Sequence, residues 1–451
     1  MCPYGLMPFP LFRLLRGMGK LGANMRQNKS TSRKSILVIF LGLFFIGAIV
    51  LKATSAKKVG KIIETTYSVS DPAFRETMGH LIGPAFSAGN QVQELLNGNQ
   101  VFPAMLKAIQ QATNSITFEN YIWESGEIGG KFVDALVERA SAGVQVHSIV
   151  DGMGTLKLED EDIDKMKAAG IHFVKMGRDK WYKLKLSLNH RTHRKLLVVD
   201  GRIGFTGGIC IGDKWLGDGD KKDHWRDTHF RLEGPAVKQL QGIFAENWLL
   251  TTSEVLQGAK YFPETESSGL VLVQCFRSGP KDGEENARLV HLLAIAAARK
   301  NIRLSHAYFV PDDLSVEQLI AARKRGVKVE VIVPAKNDSE IGRAASRSRW
   351  YKLADAGVEF FEFTPALYHC KVMIVDDVFV SAGSVNFDNR SFRLNDEANF
   401  NVLDEKFAEA QIKIFKDDKA KSSSLTAATL KNRPWYSKCA DYSAGLFRSQ
   451  L

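Results

Sequence analysis

Cysteine is scarce and unpatterned in this chain. Five occur among 451 residues, at positions 2, 210, 275, 370 and 439. An odd number without close spacing excludes a disulfide framework and a cysteine-rich zinc module as the organising principle. Acidic residues are missing altogether before Glu64. Over that stretch, residues 1–34 carry Arg13, Arg16, Lys20, Arg26, Lys29, Arg33 and Lys34, and residues 52–61 add Lys52, Lys57, Lys58 and Lys61. These account for the whole net charge of +11, because residues 35–51 are uncharged and the chain from residue 62 onward is balanced. A neutral body argues against a protein built to track a polyanion, so no nucleic-acid partner is expected.

What the chain does have is ordinary globular material, 45% apolar and 25% charged, and enough length for two domains. Between the basic clusters lies the uncharged run Ile36 to Leu51. As a helix it would span roughly 24 Å, slightly short of a usual membrane crossing. Residues 1–34 therefore read as a basic N-terminal segment, 35–52 as a single-pass transmembrane anchor and 53–89 as a juxtamembrane linker. A signal peptide cleaved near Ala53 to Ala56 is the alternative, with Lys52 against it. Met25 would itself begin a normal short basic leader. Basic residues on both sides of the run weaken the positive-inside signal, which leans toward a cytoplasmic N-terminus and a body outside a bacterial inner membrane.

From about residue 90, short β-branched runs alternate with amphipathic stretches, the pattern of an α/β sheet covered by helices. The pattern repeats. Ser115-Ile-Thr-Phe, Ala142-Gly143, Val144 to Val150 and Ala168 to Val174 recur as Asn301-Ile-Arg-Leu, Arg325-Gly326, Val327 to Val333 and Asp355 to Phe361. The glycines fit helix ends that feed buried strands. Spacings between matching landmarks are too long for a solenoid and suit a duplicated domain, here 90–252 and 270–451, joined by the polar stretch 253–269. Lys416 to Thr429 is charged and serine-rich and reads as a mobile surface segment.

Each half also carries H-x-K-x4-D: His193, Lys195 and Asp200, then His369, Lys371 and Asp376. A Gly207-Gly208 or Gly383-Ser384 turn follows each. In an extended segment, His and Lys two apart project from one face, and the apolar residues after Lys form a buried strand that fixes them. The closing Asp, counted with the His and Lys in the catalytic motif, suits a buried turn or an interdomain hydrogen bond. One such motif is a weak signal; two at matching places in a duplication are a strong one.

The paired motifs resemble the phospholipase D superfamily, and the longer text its bacterial cardiolipin synthase branch. Supporting segments are Asn189 to Lys195, His224-Trp-Arg-Asp-Thr-His229, Glu233 to Val237, Tyr308-Phe-Val-Pro-Asp312 and Gly383 to Ser391. The resemblance implies two α-β-α sandwich domains packed as a pseudo-twofold pair. It implies His193 as nucleophile, His369 as acid and base, Lys195 and Lys371 as clamps on phosphate oxygens, and Asn386 as a neutral donor. It points to Asp227 as the carboxylate for His193 and to Glu397 as the carboxylate for His369. Cys210 stands where many relatives carry Asn, and Asp377 where the first half has Gly201. His190, His224 and His229 read as supporting residues. The scheme needs no cofactor and no metal.

The expected activity is phosphatidyl transfer that makes cardiolipin through a covalent phosphohistidine. The partners are phosphatidylglycerol, phosphatidylethanolamine and the membrane. Rival readings are a phospholipase D that passes the phosphatidyl group to water, a nuclease or other phosphodiesterase of the same superfamily, and a non-enzymatic membrane scaffold. A scaffold is expected to lose a motif His or Lys, and none is missing.

Overall fold

The computed structural model describes residues 59–177, 190–280, 285–336 and 340–445, without the side chains of 340–342. The basic segment 1–34 and the anchor expected over 35–52 lie outside these residues. Among the described residues no helix is long and apolar enough to cross a membrane.

The body from Lys58 onward is one compact unit built on a single sheet. From one edge, the first half contributes His172–Met176, Gln145–Asp151, Ser115–Asn120, Leu196–Val199, Ile203–Gly207, Thr228–Glu233 and Ser87–Leu96. The second half continues with Val271–Ser278, Asn395–Leu403, Phe379–Gly383, Lys371–Val375, Asn301–His306, Lys328–Pro334 and Glu359–Phe363. Read outward from the junction, the two halves have the same strand order. Ser87–Leu96 and Val271–Ser278 pair antiparallel at that junction, through Ser87 with Val273 and Asn90 with Val271. The motif strands Leu196–Val199 and Lys371–Val375 are buried along their whole length, as their apolar runs require. Helices Glu127–Ser141 and Asp313–Lys324 end just before Gly143 and Gly326, whose φ of 92° and 90° turns the chain back into a central strand.

Three apolar clusters hold this frame. One lies within the first half, around Phe118, Phe132 and Trp215. Another lies within the second half, around Val331, Phe360 and Phe387. The third joins the halves: Phe230 and Phe244 pack with Tyr368, Phe400 and Phe407, and the Phe230 and Phe400 rings stand 4.9 Å apart, edge to face. Each such ring contributes about 1.5–3 kcal/mol on burial, so the junction is a core in its own right.

Two sequence expectations are corrected. The stretch 53–89, read as linker, contains the helix Pro72–Ile82, begun by Asp71 accepting from the Ala73 N–H at 2.8 Å. Its Phe74, Met78 and Ile82 are buried in the second half's core. Residues 416–429 are ordered as well. They finish the helix Glu405–Ala420 and add the strand Ser422–Leu425 to the sheet edge beside Glu359–Phe363. The fixing contact is Asp418, buried against Arg226 at 2.9 and 3.0 Å.

Candidate active site

The strands that present the two motif histidines begin by crossing to the other half. Arg191 and Thr192 pair in parallel with Asn395 and Asp396, and the His193 N–H donates to the Asp396 carbonyl at 2.9 Å. The equivalent bridge in the other half joins Arg226 to Tyr368, and the His369 N–H donates to the Arg226 carbonyl at 2.7 Å. Glu397 follows Asp396 directly, and Asp227 follows Arg226. Each acid is therefore delivered beside the histidine of the opposite half. His193 Nδ1 lies 3.0 Å from both oxygens of Glu397, and His369 Nδ1 lies 2.6 Å from Asp227 Oδ2. The expected pairing of Asp227 with His193 and of Glu397 with His369 is thus reversed. Each acid faces the imidazole of the opposite half because the crossing is made by two short tertiary bridges.

Both imidazoles line one cavity of about 510 Å³, together with Tyr121, Cys210, Lys214, Trp225 and Asn386. Lys195 and Lys371 lie buried beside them, and each ammonium donates to the carbonyl of its own motif histidine at 2.6 Å. Lys371 Nζ also stands 3.2 and 3.3 Å from the two ring nitrogens of His369. Burial pushes both imidazoles down to about 4, against the pull of the paired carboxylates. It also pushes Lys195 down to about 8 and lowers Lys371. Burial alone would raise Asp227 and Glu397, but the imidazole each one holds and the adjacent lysine outweigh it and leave both below the ordinary carboxylate range. With Nδ1 donating to a carboxylate, each neutral ring turns the Nε2 lone pair outward. An arriving phosphodiester anion restores the charge that favours protonating one of them.

Asn386 lines the cavity from the second half, and Cys210 lines it at the matching place in the first. Ser384 and Trp215 act one layer back. Ser384 Oγ donates to Glu397 Oε2 at 2.5 Å, and Trp215 Nε1 donates to Asp227 Oδ2 at 3.2 Å. Trp215 carries no motif signal, and sequence reasoning missed it. Asp200 and Asp376 stand at the far ends of the motif strands, away from the cavity lining. Asp200 accepts from the backbone N–H groups of Thr113, Asn114 and Ser115, and Asp376 from those of Arg299, Lys300 and Asn301. Each clamps the start of the neighbouring strand in its own half. His190 is bound to Asp396 at 3.0 Å, and His229 is buried outside the cavity lining.

Fold and paired motifs are those of the phospholipase D class. The solved structure of a phosphatidylserine synthase from Haemophilus influenzae shares the fold, with a TM-score of 0.66 over 84% of this chain and 99% of that one at 16% identity. A family model described as "Cardiolipin synthase, PLD-like domain" matches residues 105–248 and 292–419. A cardiolipin synthase from Staphylococcus aureus is 34% identical over 77% of this chain and 71% of its own. Cardiolipin synthase 1 of Bacillus cereus is 38% identical over 67% of this chain and 61% of its own, so the chain spans about three-fifths of that relative. The chain belongs to the cardiolipin synthase family of phospholipase D-like proteins.

Proposed function

We propose that this protein is a phosphatidyl transferase that makes cardiolipin from phosphatidylglycerol at a bacterial membrane. The observation that carries the reading is the crossed pair of histidine–carboxylate contacts opening on one cavity. Two imidazoles there can serve one phosphorus centre from opposite halves. In the first step His193 Nε2 attacks the donor phosphorus, the phosphorus–oxygen bond to the head alcohol breaks, and His369 Nε2 gives that alkoxide a proton. In the second, a lipid hydroxyl attacks the phosphohistidine, its proton returns to His369, and the nitrogen–phosphorus bond pair returns to His193. Lys195, Lys371 and Asn386 offset the charge that builds on the non-bridging oxygens. His193 is taken as the nucleophile by the family order.

A lipid substrate is supported by the exposed Met153 at the cavity wall, and by the uncharged run of residues 36–51 between basic clusters, which would anchor the site at an anionic surface with the body on the outer face. The test uses the full chain in vesicles of phosphatidylglycerol, with and without phosphatidylethanolamine, and identifies products by mass. Cardiolipin is expected. Phosphatidic acid alone would replace this reading with a hydrolase. His193→Ala and His369→Ala are each expected to lower turnover by roughly three orders of magnitude or more, in keeping with loss of a nucleophile or its acid. Quenching with denaturant at mildly alkaline pH, where a phosphorus–nitrogen bond survives, should trap the phosphatidyl group on the peptide containing His193.

A further inference from the structure

A surface helix of a soluble domain turns its aromatic side chains inward, and the helix Trp435–Gly445 does the reverse. It buries Asp441 and Gly445, with Ser437 and Ala444 half-buried on the same face. Trp435, Cys439 and Tyr442, at helical spacing, run down the outer face as one exposed stripe, with Tyr436 beside it. Trp435, Tyr436 and Tyr442 are 76%, 64% and 71% exposed. The helix packs on Glu340–Asp355, whose Tyr351 is exposed as well. Among the described residues no other aromatic side chain is exposed, so the exposure is concentrated on one surface.

The cations around this surface differ in what holds them. Tyr351 and Tyr442 flank a cavity of about 360 Å³ that Arg347, Lys431, Arg433 and Lys438 also line. Arg347 is engaged by Glu362 at 3.0 Å and Arg433 by Asp441 at 2.5 Å, so both are tied into the fold. The Lys438 ammonium donates to the Lys431 carbonyl at 2.6 Å, and among the described residues neither Lys431 nor Lys438 has a carboxylate partner. Exposed rings beside exposed lysines suit the boundary of a bilayer, where the rings lie at head-group depth and the ammonium groups meet anionic phosphates. An isologous contact between two copies would instead set this basic face against itself. The surface lies one helix away from the catalytic cavity. On the inner side of Glu340–Asp355, Trp350 Nε1 donates to the Phe309 carbonyl at 3.1 Å, and Tyr308 and Val310, on either side of Phe309, line that cavity.

We propose that this aromatic and basic face of the helices Glu340–Asp355 and Trp435–Gly445 docks on an anionic lipid bilayer. Trp435, Tyr436 and Tyr442 lie at head-group depth, and Lys431 and Lys438 meet the lipid phosphates. The inference goes beyond the transferase reading and does not depend on the acceptor, since a hydrolase would draw its donor from the same bilayer. Docking holds the catalytic body to the surface that supplies its substrate, and does so without the apolar run 36–51.

Cys439 reports on the stripe directly, because it is exposed while Cys210, Cys275 and Cys370 are buried. In the full chain carrying Cys2→Ser, a fluorophore sensitive to water is attached at Cys439 and read in vesicles of phosphatidylglycerol and of phosphatidylcholine. Its emission is expected to lie further to the blue, and to be quenched more by spin-labelled lipid, in phosphatidylglycerol. Equal emission in the two lipids overturns the proposal, because a stripe left in water, or covered by a second copy or by the chain's own termini, does not sense head-group charge. A second measurement reads Lys431→Gln combined with Lys438→Gln on two substrates. Each lysine at an anionic surface contributes about fivefold, so turnover in phosphatidylglycerol vesicles should fall about tenfold or more. Turnover of a short-chain phosphatidylglycerol dispersed as monomers should stay that of the unsubstituted chain. Equal losses on both substrates, or no loss on either, overturn the docking face. A lipid-dependent shift at Cys439 without any cardiolipin product would remove the transferase reading and leave the docking face in place.

Discussion

Around His193 the carboxylate is a glutamate, and around His369 it is an aspartate, one methylene shorter. Both oxygens of Glu397 face the His193 ring, and Ser384 Oγ supports one of them at 2.5 Å. Asp227 gives Oδ2 to His369 and its other oxygen to the Thr228 N–H at 2.8 Å. No hydroxyl can support Asp227 from the place equivalent to Ser384, because a Cβ on Gly208 would lie 2.1 Å from Asp227 Oδ1. The donor comes from Trp215 instead, at Oδ2. The lysines differ too. Lys371 presses on the His369 ring nitrogens, whereas Lys195 lies over Tyr121. Duplication has kept a buried anion behind each imidazole but not the atoms that hold it there. That difference makes the two histidines separable by experiment.

The largest separation should come from neutralising the acids. Asp227→Asn and Glu397→Gln are each expected to lower kcat/KM on the order of a thousandfold, by loss of the tautomer lock and of the charge opposite an imidazolium. The pH profiles should differ. Each carboxylate raises the affinity of its imidazole for a proton, so removing it lowers that affinity further. If His369 is the acid, Asp227→Asn leaves too little of it protonated at neutral pH, and acidification should recover part of the loss. If His193 is the nucleophile, Glu397→Gln already has it neutral, and acidification should recover nothing. The opposite pattern would exchange the two roles.

How much of this was readable beforehand follows from where the information lies. The duplication, the motif strands and both carboxylates were visible, because buried strands and paired short motifs are written in contiguous residues. The helix 72–82 was also readable, since Asp71-Pro72 is a helix start and Phe74, Met78 and Ile82 recur every four residues. The crossed acids were not. They depend on the Arg191–Thr192 strand and the Arg226–Tyr368 bridge, two-residue and one-residue pairings that no periodicity marks. Residues 416–429 were misread for a similar reason. Their composition is that of a solvated segment, but Arg226, distant in sequence, draws Asp418 into the interior, and Tyr368 Oη adds a bond at 3.0 Å.

Exchanging the supports of the two acids gives a middle-sized effect. Gly208→Ser forces a side chain against Asp227, and is expected to lower kcat on the order of a hundredfold by displacing the His369 partner, a scale typical of misplacement near 1 Å. Ser384→Gly removes a donor without a clash, and should cost on the order of tenfold through one lost hydrogen bond. Comparison of the two under identical assay conditions tests the asymmetry. Equal losses would mean that the space at position 208 is not what confines Asp227.

The smallest effect, and the one most specific to the first half, belongs to Trp215. Trp215→Phe keeps the aromatic packing against Trp225 and His369, whose ring centroids lie 4.7 and 5.6 Å away, and removes only the N–H that supports Asp227. One neutral donor to a buried carboxylate contributes about 1 kcal/mol, so kcat should fall less than about tenfold. The direction of the pH change is the sharper readout. With one donor fewer, Asp227 is less stabilised as an anion and binds the His369 proton more tightly, so the alkaline limb of kcat should move to higher pH. Ser384→Ala acts on Glu397 in the same sense and should move the acid limb, set by His193, upward instead. If Trp215→Phe shifts neither limb while lowering thermal stability, the indole is a packing element and Asp227 is held by His369 and Thr228 alone.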